Sequence, residues 1–177
     1  MMFSQSVARV NAVMMLHAEA PLAVAQIARA SGLRYTPAAS ALATLEKRGL
    51  VRRVRRIDQD MFEPDRDDPH YPMAYGSALV DLPLAEALRG QRVYAVFAYG
   101  SLAHPGSGTA SSDLDLLIVG DVKDRDALVD RLSQVGARLS RSIDPFILAP
   151  EQLERARRDH DEHVESALAG VRIMGAV

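Results

Sequence analysis

Residues 93–119 read VYAVFAYGSLAHPGSGTASSDLDLLIV, and the way this stretch breaks into two apolar runs decides the architecture around it. From Val93 to Ala98 the chain is continuously apolar and ends in Tyr99-Gly100-Ser101, the pattern of a buried strand running into a tight loop. Gly100 lets the backbone approach a ligand closely, and Ser101 adds a hydroxyl to the backbone N–H donors, a pair suited to cradling phosphates. The eleven residues from Leu102 to Ser112 are rich in Gly, Ser and Ala and predict a mobile loop. A second strand then spans Asp113 to Val119. Side chains two apart on a strand point the same way, so Asp113 and Asp115 present two carboxylates to one place. Oxygen-only ligands of this kind suit Mg²⁺.

Toward the C-terminus, Leu128, Leu132, Val135 and Leu139 recur at helical spacing and predict a helix over Lys123–Leu139. Ser142–Leu148 is a third strand bearing Asp144, and Pro145 beside it marks a sheet edge or a strand start, since proline cannot donate to a ladder. A last amphipathic helix begins near Pro150 and runs through Leu153 and Ala156, followed by a shorter tail. Asp159-His160-Asp161-Glu162-His163 has a metal-ligating composition, but its charges read as a solvated surface; His104 reads as a loop histidine.

A strand ending in Gly-Ser, a strand opening with Asp-x-Asp, a helix, and a strand with a third acid resemble the minimal nucleotidyltransferases of the polymerase-beta-like superfamily, over about residues 92–150 with YGSLAHPGSGTASSDLDLLIV as the core. The resemblance implies that Gly100 and Ser101 bind a triphosphate and that Asp113 and Asp115 hold two Mg²⁺ ions. It also implies that Asp144 helps hold one metal and activates the acceptor hydroxyl, so that Asp113, Asp115 and Asp144 are the catalytic and metal-binding set. A metal bridging the phosphates neutralises developing charge, and a second lowers the pKa of the attacking hydroxyl. The implied reaction moves a nucleoside monophosphate from ATP or another nucleoside triphosphate to an acceptor hydroxyl. Relatives of this half modify small molecules such as antibiotics, proteins or RNA, and some belong to toxin-antitoxin pairs. One departure stands out: loops after Gly-Ser in this family often carry an arginine, whereas Leu102–Ser112 has no base except His104.

The N-terminal third has a different pattern. Val7, Val10, Val13 and Met14 define a first helix that Glu19-Ala20-Pro21 ends; a short second helix fits Val24–Ala30, stopped by Ser31-Gly32. A third opens with Thr36 as N-cap and Pro37 in the first helical position, and Gly49 sits where a left-handed C-terminal residue is wanted. Ala38, Ala41, Leu42 and Leu45 would face inward, and Thr36, Ser40, Thr44 and Lys47 outward. Val51-Arg52-Arg53-Val54-Arg55-Arg56, a polar Asp58-Gln59-Asp60 tip and Met61-Phe62 form a basic hairpin, although the three-residue spacing of Val51, Val54 and Ile57 is not strict alternation.

Helix, helix, turn, helix and basic hairpin, carried by VAQIARASGLRYTPAASALATLEKRGLVRR, resemble the ArsR-like winged-helix regulators over roughly residues 1–70. The resemblance implies double-stranded DNA as partner. Arg34, Tyr35, Ser40, Thr44 and Lys47 are expected in the major groove, with Arg52, Arg53, Arg55 and Arg56 on the phosphates. Asp58 and Asp60 oppose a DNA-touching hairpin tip, because phosphates repel them. The alternative use of this unit is protein interaction or dimerisation, with the arginines as a solvated face.

The charge distribution matches this division. Residues 1–56 carry nine Lys or Arg against two acids, a net +7, while the other 121 of the 177 residues carry twelve bases and twenty-one acids, a net −9 within a total of −2. A basic segment joined to an acidic one suggests that one part faces a polyanion. The polar, Pro-rich Glu63–Pro72 segment is a linker, and a helical stretch from about Ala78 to Leu88, interrupted or restarted at Pro83, bridges to the second unit. With no cysteine, disulfides and thiolate metal sites are excluded. The absence of a signal-peptide pattern and of a long apolar run predicts a cytoplasmic protein without a membrane partner.

The expected fold class is therefore α+β. A winged helix-turn-helix (1–72) and a linker helix (73–91) precede a minimal nucleotidyltransferase α/β domain with a small mixed sheet (92–177). Two functions follow: a Mg²⁺-dependent nucleotidyltransferase coupled to a DNA-binding domain, or a transcriptional regulator whose nucleotidyltransferase-like domain is a nucleotide sensor or is catalytically inactive. A third use of the winged helix is docking the enzyme on a protein or RNA acceptor. A homodimer is expected, because paired winged helices read paired half-sites.

Overall fold

The structure is a computed structural model that describes residues 3–18, 20–56 and 58–176; Glu19 and Ile57, which entered the helix-stop and hairpin readings, lie outside the described residues. The chain is α+β and divides into two compact units, one of residues 1–82 with 138–140 and the other of residues 83–137 with 141–177. No helix among the described residues is long and apolar enough to cross a membrane.

The first unit is built around α1 (Gln5–Leu16), which is buried without interruption from Val10 to Leu16. It packs against three helices: α2 (Val24–Ser31), α3 (Tyr35–Lys47) and α4 (Tyr71–Val80). Before α2 lies the two-residue strand β1 (Leu22–Ala23), which pairs antiparallel with β3 (Gln59–Pro64). β3 in turn forms a hairpin with β2 (Val51–Arg56), giving the sheet order β1-β3-β2. The inward set of α3 is as expected, with Ala38, Ala41, Leu42 and Leu45 all buried. Its start differs: α3 begins at Tyr35 with Arg34 in the cap position, so Thr36 lies inside the first turn and caps nothing. Pro37 is tolerated there because the first-turn N–H groups have no intrahelical acceptor.

Gly49, at φ +77°, closes α3. Its N–H donates to Glu46 O at 2.9 Å and that of Leu50 to Leu45 O at 3.1 Å, the paired bonds of a Schellman stop that turns the chain straight into β2.

The helix expected to bridge the halves resolves into two pieces. Residues 71–80 form α4, whose Tyr75, Ala78 and Leu79 are buried in the first unit, and the Asn11 amide on α1 donates to Ala74 O at 2.8 Å. A helix with that much apolar surface packs rather than spans a gap. Pro83 then caps a separate single turn, α5 (Leu84–Ala87).

The second unit contains a four-stranded sheet of order β6-β5-β4-β7. β4 (Arg92–Tyr99) is antiparallel to β5 (Leu114–Asp121), joined through a 3₁₀ turn at Ser101–Ala103. The helix α6 (Arg125–Arg138) supplies the crossover that a parallel pairing of β5 with β6 (Ile143–Leu148) requires. β6 is an edge strand, where Pro145 leaves no inner ladder bond unmade. The tail is more structured than its sequence suggests. After α7 (Pro150–Arg158) come a second helix, α8 (Glu162–Leu168), and a strand, β7 (Val171–Gly175), that adds to the free edge of β4.

One face of this sheet is a continuous core. Alternate residues Ala95, Phe97 and Tyr99 of β4, Leu117 and Val119 of β5, and Leu148 of β6 cluster with Leu153 of α7 and with Val164 and Ala167 of α8. The same alternation carries this face to the ends of β5 and β6, where the apolar series gives way to Asp115 and Asp144.

Candidate functional site

The acids lie where the core face of the sheet runs out. Tyr99 is opposite Asp115 across the antiparallel ladder, and Asp115 is opposite Asp144 across the parallel one. Register partners share a face, so these three side chains form a row across three strands. Asp113 stands two residues before Asp115, at the entry to β5. Asp113 and Asp144 are exposed, while Asp115 is half-buried.

The electrostatics tie the acids together. Burial raises the pKa of Asp115 above the ordinary carboxylate value; the negative charges of Asp144 and then Asp113 raise it further, and His163 acts in the opposite direction. The Tyr99 hydroxyl is pushed up as well, by burial first and then by Asp115 and Asp144. Among the described residues no three acid or histidine side chains are gathered tightly enough to enclose a metal ion. The three carboxylates therefore act on one another across the strand spacing rather than as a closed cluster.

Gly100 is held against this row. Its φ of +70° with ψ of −157° belongs to a region open essentially to glycine alone, and a Cβ at this position would collide with Asp115 Oδ2. The turn that presents Ser101 and the carboxylate of Asp115 are consequently in contact through a backbone with no side chain to separate them. Ser101 is exposed.

The loop before Asp113 is internally bonded. Thr109 N–H donates to Ser112 Oγ at 2.9 Å, and Ser112 N–H donates to Thr109 O at 3.2 Å. Arg141, just ahead of β6, donates through one guanidinium nitrogen to Thr109 O at 2.9 Å and Ser112 O at 2.7 Å. Leu102 and Ala103 are buried at the other end of the loop. The Gly and Ser content that predicts mobility here supplies turn geometry and hydroxyl partners.

One residue of the site reads in the sequence only as part of a solvated surface. His163 lies on α8 inside a run of charges, yet its ring is edge-on to both Tyr99 (centroids 5.4 Å apart) and Phe146 (4.9 Å). The Tyr99 hydroxyl is 3.4 Å from His163 Nε2. Helical spacing offers the available signal: Val164 and Ala167 are the buried positions of α8, and His163 adjoins that stripe. By contrast His160 is directed to Glu165, 3.4 Å away, and Asp161 caps α8 by accepting from the N–H groups of His163 and Val164. The five-residue run therefore divides between capping, surface and site.

In the first unit, the side chains expected to face a nucleic acid divide in two. Tyr35 (60% exposed), Arg34, Ser40 and Lys47 are on the surface of α3, and Thr44, half-buried, turns its hydroxyl back to Ser40 O at 3.0 Å. On the hairpin, Arg55 and Arg56 are exposed and form no ion pair among the described residues. Arg52 and Arg53, also expected on the phosphates, form ion pairs within the unit. Arg52 is 2.7 Å from Glu63, its partner across the hairpin. Arg53 lies between Glu46 of α3 (3.1 Å) and Asp60 of β3 (2.8 Å), above the Phe62 ring. These arginines are spent on acids that sequence spacing placed out of view. A groove of about 370 Å³ between α3 and the hairpin is lined by Tyr35, Leu42, Glu46, Arg53, Asp60 and Phe62 among others.

Comparison with protein-family models, curated proteins and solved structures finds no match for this chain.

Proposed function

We propose that the second unit is a nucleotidyltransferase of the minimal, polymerase-beta-like kind, moving a nucleoside monophosphate from ATP or another nucleoside triphosphate to an acceptor hydroxyl. The observation that carries this reading is the contact of Asp115 with Gly100 at the head of a strand row that continues to Asp144. It joins a phosphate-cradling turn to a set of carboxylates. In the reaction the acceptor oxygen forms a bond to the α-phosphorus, the bond from that phosphorus to the bridging oxygen breaks, and pyrophosphate leaves. Gly100 and Ser101 bind the triphosphate, and Asp144 takes the acceptor proton.

The donor atoms are of the kind that Mg²⁺ takes. All three side chains offer hard oxygen ligands, and the burial and like-charge neighbours that disfavour the Asp115 anion are offset by a cation. Asp113 and Asp115 would hold two ions, with Asp144 sharing one. When bound, the metal neutralises charge developing on the transferred phosphoryl group.

Incubating the full chain with each α-labelled nucleoside triphosphate, Mg²⁺ and small-molecule, protein or RNA acceptors tests the reading. Label transfer with pyrophosphate release, lost in Asp113→Ala and Asp115→Ala, is the expected result. No transfer by the wild-type chain, or equal transfer by the variants, would sink it.

The first unit favours a companion role as a winged helix-turn-helix on double-stranded DNA, acting as a homodimer on paired half-sites. Support comes from the element order α1-β1-α2-α3-β2-β3 and from the exposed Arg34, Tyr35, Ser40, Lys47, Arg55 and Arg56. With a silent second unit, the chain would instead be a regulator that senses nucleotide. Selection of bound genomic fragments at physiological salt tests the DNA role, since a DNA reader enriches a defined sequence and a chain with no DNA role enriches none; label transfer separates the active second unit from the silent one.

A further inference from the structure

The proposed triphosphate site has a charge problem. Three carboxylates lie in or beside it, and Leu102–Ser112 contributes no lysine or arginine, so the turn after Gly100 offers a polyanion backbone N–H groups, hydroxyls and the exposed His104. Arg141 lies at the loop but is occupied with the carbonyls of Thr109 and Ser112. A further donor comes from α8.

His163 stands on the same face of the sheet as the acids. Tyr99, Asp115 and Asp144 share that face by register, and Phe146, two residues after Asp144, shares it by alternation. His163 touches the first and last members of this set, Tyr99 and Phe146, and its proximity favours the Asp115 anion. The two rings fix the imidazole plane, and the Tyr99 hydroxyl occupies Nε2. The Tyr99 hydroxyl thus engages one ring nitrogen and leaves the other, Nδ1, as the second polar atom of the ring. With the hydroxyl donating to Nε2, the ring proton sits on Nδ1. Nδ1 has no hydrogen-bond partner among the described residues, and the residue is exposed to solvent.

We propose that His163 is a nucleotide-contacting residue, held by Tyr99 and Phe146 so that Nδ1–H donates to an oxygen of the bound nucleoside triphosphate. It supplies the site with a side-chain N–H that no lysine or arginine of Leu102–Ser112 provides. The inference rests on the nucleotidyltransferase reading of the same site.

Binding decides it without turnover. The full chain is titrated calorimetrically, in Mg²⁺, with the α,β-methylene analogues of the four ribonucleoside triphosphates, which bind but cannot transfer. His163→Ala should weaken binding of the preferred analogue roughly tenfold or more, the loss expected for a hydrogen bond to a charged group. His163→Gln, which keeps a side-chain donor, should recover part of it, and His160→Ala should bind as wild type. Histidine-ring NMR of the wild-type chain should show the His163 nitrogens shifting on analogue addition while those of His160 stay in place. This second readout holds if His163→Ala fails to fold. Wild-type binding with His163→Ala within twofold of it, or an unmoved His163 ring, overturns the inference and leaves the nucleotidyltransferase reading intact. A wild-type chain that binds none of the four analogues removes both.

Discussion

Asp115 of β5 and Asp144 of β6 are direct register partners in a parallel ladder, with Gly100 of the neighbouring strand's exit turn against the Asp115 carboxylate. Residues 29 apart in sequence are thus set side by side by the α6 crossover, and the sheet, more than either strand, makes the acidic row.

Gly100→Ala is expected to cost stability and activity together. A side chain at this φ,ψ is strained by about 1–3 kcal/mol, and its Cβ displaces the Asp115 carboxylate as well. A lowered thermal midpoint with transfer lost is the expected pair of results; Ala at full activity would mean that the turn and the carboxylate do not work as one unit.

Asp115 predicts a specific pH dependence. Its folded-state pKa is raised, by burial first and then by Asp144 and Asp113, so the folded chain holds the Asp115 proton more tightly than the unfolded chain does. The raised pKa makes this residue a penalty on stability that is absent at pH below the unfolded carboxylate value. The penalty grows as pH rises through the carboxylate range and is complete above the folded pKa. Denaturant midpoints should therefore show Asp115→Asn gaining on wild type as pH climbs through that window and matching it at the acid end. Added Mg²⁺ should narrow the gap by stabilising only the wild type.

Arg141→Ala should loosen the approach to Asp113. The wild-type guanidinium ties the Thr109 and Ser112 carbonyls, and without it the turn keeps only its own hydroxyl and backbone bonds. Hydrogen exchange at residues 109–113 should speed up while β4 and β5 stay protected. Unchanged exchange in the turn would show that its internal bonds suffice.

Arg55 and Arg56 are expected to dominate any salt-dependent DNA binding by the hairpin. Replacing both with Ala should reduce the slope of log affinity against log salt by about 1.8, two contacts at about 0.9 each. Arg52→Ala or Arg53→Ala should change it less, since each first has to leave Glu63, or Glu46 and Asp60. Fluorescence anisotropy with one duplex at several salt concentrations reads both effects.

Much of this was open to a reader of the sequence alone, because it depends on short-range rules. The 3.6-residue spacing of Ala38, Ala41, Leu42 and Leu45 names the buried face of α3. The glycine after Arg48 ends that helix, and the apolar run from Val93 to Ala98 and the Asp-x-Asp after it name two strands and the side on which the acids lie. Local pattern is silent on what residues 73–80 and the tail after α7 do, for one reason. Whether an apolar segment bridges, packs or pairs depends on the surface waiting for it, here α1 for α4 and the open edge of β4 for β7.

Local pattern alone thus determined the buried face of α3, the strands that carry Asp115 and Asp144, and the glycine stop at Gly49. Tertiary structure decided what those groups meet: Asp144 beside Asp115, Arg53 between Glu46 and Asp60, and His163 against Tyr99 across 64 residues of chain. Charge and hydrogen-bonding energies fall off within a few ångströms, and no periodicity in the sequence encodes which distant segments the folded backbone brings that close.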